Sequence, residues 1–330
     1  MQMGETYEKL IERIMVLNDR VWEGRVPRAK IDQWLENFTG RVADVDVERL
    51  HALFWLSQFM YFGSREIRVL LRSLYRDLYL CPMIQEVRSS LPPEADLAML
   101  RAAVKQEVAN TRFFGVGNPS ESGVHLLYYF RQENRLDKGN FMDAVQIFAR
   151  GTGADGKERR ELRKPDVTRY VFLDDICGSG QTAIDYSGEI LADLVSLNPD
   201  ASVAYYSMFA TVDGLKNVRN ETLFGERCGA VYELDASYRC VSPTSRYFTT
   251  MEYPEIDPSL ACRVAKEYGE FIGFPSQHAC GYSDSQMLMG FHHNTPDNTL
   301  PIIWADDTVH GGNKWFPAFR RYPKFLGEDE

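Results

Sequence analysis

No stretch of this 330-residue chain is long and apolar enough to span a bilayer. Its first residues, MQMGETYEKLIERIM, are acidic and amphipathic where a secretory leader would be basic and then apolar. Cysteine is scarce and scattered. Cys81, Cys177, Cys228, Cys240, Cys262 and Cys280 form no C-x-x-C pair, which argues against both a zinc framework and a disulfide scaffold. A reducing cytoplasm is therefore the expected location. Lys and Arg number 37 against 47 Asp and Glu, for a net charge of −10, and the positive residues gather into no stripe. Direct binding to a nucleic-acid backbone is disfavoured on that ground. The nucleotide loop G-x-x-x-x-G-K-[ST] is missing, as are internal repeats and low-complexity segments.

What is present is an ordinary globular composition, 44% hydrophobic and 25% charged, long enough for two domains. From about Glu5 to Asn110, apolar residues recur at helical spacing in YEKLIERIMVLNDRVW, LHALFWLSQFMYF and IRVLLRSLYRDLYL. Gly24, Pro27, Gly63, Pro82 and Pro92-Pro93 punctuate them, so four to six packed helices are expected. Their apolar stripes read as bundle core, because each helix needs one buried face.

After Asn110 the character changes. TRFFGVG reads as a strand, NPSESG as a turn, VHLLYYFRQENRL as a helix and FMDAVQIFAR as another helical stretch. GTGADGKERRELRKPD is dense in charge, with Ala154 and Leu162 its sole apolar residues, and reads as an exposed, mobile loop. Alternation then sets in: RYVFLDDI as strand, AIDYSGEILADLVSL as helix, SVAYYSMFA as strand, DGLKNVRNETLF as helix and AVYEL as strand. Such alternation predicts a parallel sheet covered by helices. MLMGF and LPIIW are expected strands in a less regular remainder. The expected division is a helical bundle over 1–108 and an α/β domain over 109–330.

The stretch RYVFLDDICGSGQT carries the chemistry. Asp174 and Asp175 close a strand, Gly178, Ser179, Gly180, Gln181 and Thr182 form a small-residue turn, and a helix begins near Thr182. Ligands of such sheets bind beyond the carboxyl ends of the strands. Amides of a glycine turn at a helix N-terminus suit a phosphate, and carboxylates accept hydrogen bonds from a vicinal diol. One loop could hold a sugar phosphate by both ends. The plainer reading is a tight strand-to-helix turn whose aspartates cap the helix. Gly151-Thr-Gly153-Ala-Asp-Gly156 also fits G-x-G-x-x-G, but the helix it would open, KERRELRK, has no apolar face to lay on a sheet.

Two families resemble the LDDICGSG string. One is the amino-methyltransferases of nucleic acids, in which a strand-end acid and a C-G-S-G turn receive S-adenosylmethionine. That resemblance requires an N-P-P-Y-like sequence after a later strand, and the nearest candidate, Asn198-Pro199-Asp200, precedes a strand and lacks the aromatic residue. The other is the type I phosphoribosyltransferases, whose signature is matched without insertion or deletion: Tyr170 to Leu173, Asp174-Asp175, Ile176-Cys177, then Gly178 to Thr182. This resemblance implies a parallel sheet flanked by helices. It also implies that Asp174 and Asp175 address the ribose hydroxyls of phosphoribosyl pyrophosphate (PRPP) and that Gly178, Ser179, Gly180, Gln181 and Thr182 hold its 5′-phosphate. Gln181 departs from the glycine common at that place. For pyrophosphate, the resemblance points to the turn carrying Asn118, Ser120, Glu121, Ser122 and Gly123, with Glu121 ill-suited to an anion unless metal intervenes. For a mobile loop it points to Lys157, Arg159 and Arg160, with Arg163 and Lys164 beyond them.

Over most of its length the chain resembles the phosphoribosyltransferase-like proteins of bacterial conflict systems, the PRTase-CE type. The segments that carry this are Trp34-Leu35-Glu36-Asn37-Phe38, PSESGVHLLYYFRQEN, the Asp174 signature and the distal GYSDSQMLMGFHHNTPDNTLPIIW. The resemblance implies an effector in anti-phage gene clusters, including some retrons, beside partners such as ATPases or a reverse transcriptase. It also implies PRPP or a related nucleotide as ligand, Mg²⁺ as cofactor and displacement at the anomeric carbon. Oligomer formation is compatible with it. The competing expectation is a binding module that senses PRPP or a nucleotide, or serves in assembly, without turnover. In the distal string, Asn294, Asn298 and the prolines either line a pocket or build a rigid turn. His292 and His293 either meet phosphate or a base, or serve structure.

Overall fold

A computed structural model of the chain describes residues 2–117, 122–152, 158–249, 253–306 and 314–321. Its backbone forms two compact units, Met1–Ile67 with Leu234–Glu330, and Arg68–Glu233. This division differs from a boundary at 108/109, because the C-terminal segment shares a core with the first helices. Among the described residues no helix is long and apolar enough to cross a membrane.

The chain opens with α1 (Gln2–Arg20), α2 (Arg28–Leu35), α3 (Val45–Ser57), the short β1 (Met60–Phe62) and α4 (Ser64–Ser73). Leu10, Ile11 and Ile14 are buried on α1 at helical spacing, as expected. Asp44 starts α3 by accepting the Asp46 amide.

The second unit runs from Arg68 through a π-helical turn (Leu74–Leu80) into α5 (Cys81–Ser90), α6 (Leu97–Ala109), β2 (Thr111–Gly115) and α7 (Ser122–Asn134). A hairpin follows, β3 (Phe148–Thr152) and β4 (Glu158–Leu162), then β5 (Arg169–Cys177), α8 (Gln181–Leu197), β6 (Ser202–Thr211), α9 (Val212–Glu221) and β7 (Cys228–Leu234). The sheet order is β2-β5-β6-β7, with β5 parallel to both β2 and β6. As the central strand, β5 is covered on both faces, which is why Tyr170, Val171, Phe172 and Leu173 read as one unbroken apolar run. Phe172 stacks on Phe114 of β2 with centroids 4.9 Å apart, and Ala183, Leu191 and Leu194 lay α8 on the same core.

Two expectations fail in this unit. FMDAVQIFAR holds one 3₁₀ turn, Ala144–Gln146, closed by an Asp143 capping box, after which Phe148–Thr152 extends as strand. The charge-dense segment after it is not a featureless loop over its described part: Glu158–Leu162 pairs antiparallel with β3, Phe148 opposite Leu162 and Thr152 opposite Glu158. Cross-strand pairing overrides a sequence with no apolar face.

The return segment supplies α10 (Arg246–Thr249), α11 (Pro258–Ile272), β8 (Met289–Phe291) and α12 (Pro301–Trp304). LPIIW, expected as strand, is this last short helix. Pro301 sits at its first positions, where the preset φ is favourable and the missing N–H costs nothing. β8 pairs parallel with β1, Met60 opposite Met289. Indole nitrogens bind the N-terminal helices to the return segment: Trp34 donates to the Ile302 carbonyl at 2.7 Å and Trp55 to the Ala261 carbonyl at 2.9 Å. The buried Glu48 carboxylate accepts the Gly40, Val42 and Ala43 amides and the Tyr268 hydroxyl, so the cost of burying its charge is offset by four donors.

Candidate functional site

Strand alternation separates the two aspartates of β5. Successive side chains point to opposite faces, so Asp174 shares a face with Tyr170 and Phe172 and Asp175 shares the other with Val171 and Leu173. Both are nearly inaccessible, at 9% and 6% exposure. The Tyr205 hydroxyl of β6 donates to Asp174 Oδ2 at 3.0 Å, and the Asp175 amide donates to Asp174 Oδ1 at 2.9 Å. Asp175 Oδ1 in turn accepts the Ile176 amide at 2.9 Å. Burial is the largest cause holding the Asp174 pKa well above the usual carboxylate range, and the neighbouring Asp175 charge adds to it; the Tyr205 bond opposes both. Tyr205, fully buried, is itself pushed far up and keeps its proton.

Beyond Cys177 the chain turns sharply into α8. Gly180 adopts a left-handed φ of +85°, and a Cβ there would stand 2.8 Å from the Gly214 carbonyl oxygen and 3.0 Å from Val218 Cγ2. Only glycine satisfies both the angle and the approach. The first turn of α9 fixes the loop from behind. Thr211 Oγ1 donates to the Gly178 carbonyl at 2.5 Å and accepts the Gly214 amide at 2.8 Å; Asn217 Nδ2 donates to the Ser179 carbonyl at 3.0 Å; the Gly180 carbonyl accepts the Ile184 amide at 3.0 Å. The carbonyls of Gly178, Ser179 and Gly180 are thus all engaged. The first amides of α8 have no partner within the helix and lie at the positive end of its dipole; that of Gln181 donates to Ser179 Oγ at 3.3 Å. Gln181 turns to Asp185, with Nε2 2.7 Å from Oδ1, while Thr182 is exposed on the first turn. The aspartates do not cap α8, since its N-cap position is Gly180 with no side-chain bond. Cys177 is buried and its thiol is pushed up to about 12.

The other expected site residues are placed unevenly. Asn118, Ser120 and Glu121 lie outside the described residues, and Ser122 and Gly123 open α7. Their strand is well situated: β2 pairs with β5 so that Gly115 stands opposite Leu173, and the Val116 amide donates to the Leu173 carbonyl at 2.9 Å, one residue short of Asp174. Lys157 is outside the described residues. Arg159 and Arg160 are consecutive on β4 and so point to opposite faces. Arg160 pairs with Asp193 of α8 and covers the Phe148 ring at 4.7 Å. Asn198-Pro199-Asp200 sits between α8 and the beginning of β6, at the opposite end of the strands from Asp174, where a methyltransferase motif would be out of reach. Gly151 lies within the antiparallel β3 and not in a strand-to-helix turn, so the dinucleotide fingerprint is a coincidence of composition. Thr211, Gly214 and Asn217, which hold the loop, were legible only as T-x-x-G-x-x-N in the next strand-to-helix turn.

A central parallel strand carrying two acids near its end and feeding a glycine-locked turn into a helix N-terminus is the arrangement of a phosphoribosyltransferase-like α/β protein. The chain belongs to the PRTase-CE family, whose model matches residues 31–321. No curated protein matches it. Among solved structures, "Structure of AQ2163 protein from Aquifex aeolicus" is 14% identical over 63% of this chain and 80% of that one, with a TM-score of 0.26, too low for an argument about fold.

Proposed function

We propose that the crevice at the carboxyl end of β5 binds PRPP, or a related ribose phosphate, with its 5′-phosphate on the amides of Gly178 to Thr182 and its ribose hydroxyls at Asp174 and Asp175. The observation that carries this is the loop itself. Its three carbonyls are all tied down, and it leads into the N-terminus of α8, whose first amides have no partner within the helix and suit a phosphate. The reaction is displacement at the anomeric carbon: the bond from C1 to the pyrophosphate oxygen breaks, the acceptor supplies the electron pair of the new bond, and the ring oxygen shares the positive charge between. Asp174 and Asp175 orient the sugar in this scheme and are not nucleophiles. Arg159, Arg160 and Lys157, with the turn of Asn118, Ser120, Glu121, Ser122 and Gly123, are proposed for the leaving pyrophosphate.

Mg²⁺ fits this chemistry because it neutralises pyrophosphate while taking its oxygens as ligands. Among the described residues no group of three or more His, Cys, Asp or Glu side chains could hold a metal ion, so the substrate's own oxygens would hold it. The setting is proposed to be the cytoplasm of a bacterial anti-phage system, with protein partners of the ATPase or reverse-transcriptase kind.

A second reading is favoured by one observation. Asp174 is buried, bound by Tyr205 and holds its proton above the usual carboxylate range, which suits a fixed recognition element in a PRPP or nucleotide sensor without turnover. Thermal unfolding with PRPP and Mg²⁺, followed by measurement of released pyrophosphate, separates the readings. Stabilisation with release supports the transferase, and stabilisation without release supports the sensor. No stabilisation by PRPP, with stabilisation by S-adenosylmethionine, overturns both.

A further inference from the structure

The unit of Met1–Ile67 and Leu234–Glu330 contains a cavity of about 250 Å³ whose walls include Arg25, Lys30 and Arg320, together with Asn294, Thr295 and Phe319. The three cations come from separate segments: the turn after α1, the first turn of α2, and the stretch after Trp315. None of the cavity's described lining residues is acidic. Glu23 lies 3.9 Å from Arg25 Nε and Asp306 3.3 Å from Arg320 Nε, but both acids stand outside the cavity wall. Lys30, half-buried, makes no ion pair with a described residue; its ammonium has a long 3.5 Å contact to the Arg25 carbonyl. Burial first, then the charges of Arg25 and Arg320, hold its pKa below the ordinary lysine range.

The walls are fixed before any ligand arrives. Arg25 covers the Tyr61 ring at 5.7 Å, and Phe319 stacks on Phe59 at 4.3 Å. Thr295 Oγ1 donates to the Arg320 carbonyl at 3.3 Å, while Arg321 donates to the Thr295 carbonyl and to Asp297, both at 2.8 Å. These bonds hold the HNTPDN segment of the distal string against the cationic wall. Arg25 and Arg320 each have one carboxylate neighbour outside the cavity and Lys30 has none among the described residues, so an anion entering the cavity would give the Lys30 ammonium an opposite charge. A volume below the roughly 300–1,000 Å³ of drug-sized ligand pockets suits a small one. Guanidinium forks and a lysine ammonium together match phosphate oxygens.

We propose that this cavity is a second anion site, for a free or nucleotide-borne phosphate or diphosphate group, with Lys30 and Arg320 as its principal donors. It is independent of the PRPP reading, which concerns Asp174 and its loop. The test is calorimetric titration of the full chain with inorganic pyrophosphate, without added Mg²⁺, for wild type, Lys30→Gln, Arg320→Gln and the Asp174→Asn/Asp175→Asn double variant. The expected result is a binding event weakened at least about tenfold by Lys30→Gln and by Arg320→Gln, and unchanged in the double aspartate variant. A parallel titration with ADP identifies the source: tighter binding than pyrophosphate means a nucleotide-borne diphosphate, and weaker binding means the free ion. Absence of binding overturns the proposal, as does binding that both cation variants leave intact or that disappears in the aspartate variant.

Discussion

Asp174→Asn isolates the electrostatics at the end of β5. The variant keeps the side-chain shape, and its amide oxygen can accept the Tyr205 hydroxyl as Asp174 Oδ2 does at 3.0 Å. It removes the ability to ionise. Because burial and Asp175 raise the Asp174 pKa above its ordinary 3.8, the folded chain retains a proton that the unfolded chain has released. Stability from this group is therefore full below the ordinary value and lost as pH rises through the raised one, the reverse of a salt-bridged carboxylate. One proton gives a slope of at most about 1.4 kcal/mol per pH unit. The stability difference, variant minus wild type, should thus climb toward the variant as pH rises above the ordinary carboxylate value of 3.8, since titrating groups remote from Asp174 cancel. All five tryptophans lie in the other unit, so indole fluorescence would report the wrong transition. Hydrogen exchange of β5 and β6 peptides, corrected for intrinsic exchange at each pH, reads the relevant unit directly. A difference that is flat with pH, or that grows as pH falls, refutes the assignment of a raised pKa.

Two glycines of one turn and helix should respond in opposite directions. Gly180→Ala forces a left-handed alanine against the Gly214 carbonyl and should cost about 2–4 kcal/mol, while Gly188→Ala, mid-helix in α8 with open space around it, should stabilise by about 0.5–1 kcal/mol. Urea unfolding followed by circular dichroism checks both, and equal effects would contradict the loop geometry. Brief alkylation with iodoacetamide near pH 8, read by mass spectrometry, should label the exposed Cys81 and spare Cys177, whose thiol is buried and shifted to about 12. Early labelling of Cys177 would mean that β5 opens to solvent.

The parallel sheet was legible because a strand buried on both faces must be written as a continuous apolar run, as in Tyr170 to Leu173, and the helices that follow carry their own period. The loop was legible because Gly180 has no substitute at its angle. Other features depended on partners distant in sequence. Glu158–Leu162 becomes a strand by pairing with Phe148–Thr152, and nothing in its own composition announces that. Asp174 reads the same whether it faces solvent or the Tyr205 hydroxyl 31 positions away, and strand alternation decides it. The first and last thirds of the chain share a core through Trp34, Trp55 and Glu48, whose partners at Ile302, Ala261 and Tyr268 no local pattern could supply.

The central claim is that the β5 turn receives the phosphate of a ribose phosphate. Determining the structure of crystals grown with PRPP and Mg²⁺ tests it most directly. The account predicts the 5′-phosphate on the amides of Gly178 to Thr182 and the ribose hydroxyls at Asp174 and Asp175, with the Thr211, Gly214 and Asn217 anchors unchanged. An empty turn at saturating PRPP, or a ligand seated with its phosphate elsewhere, would contradict it.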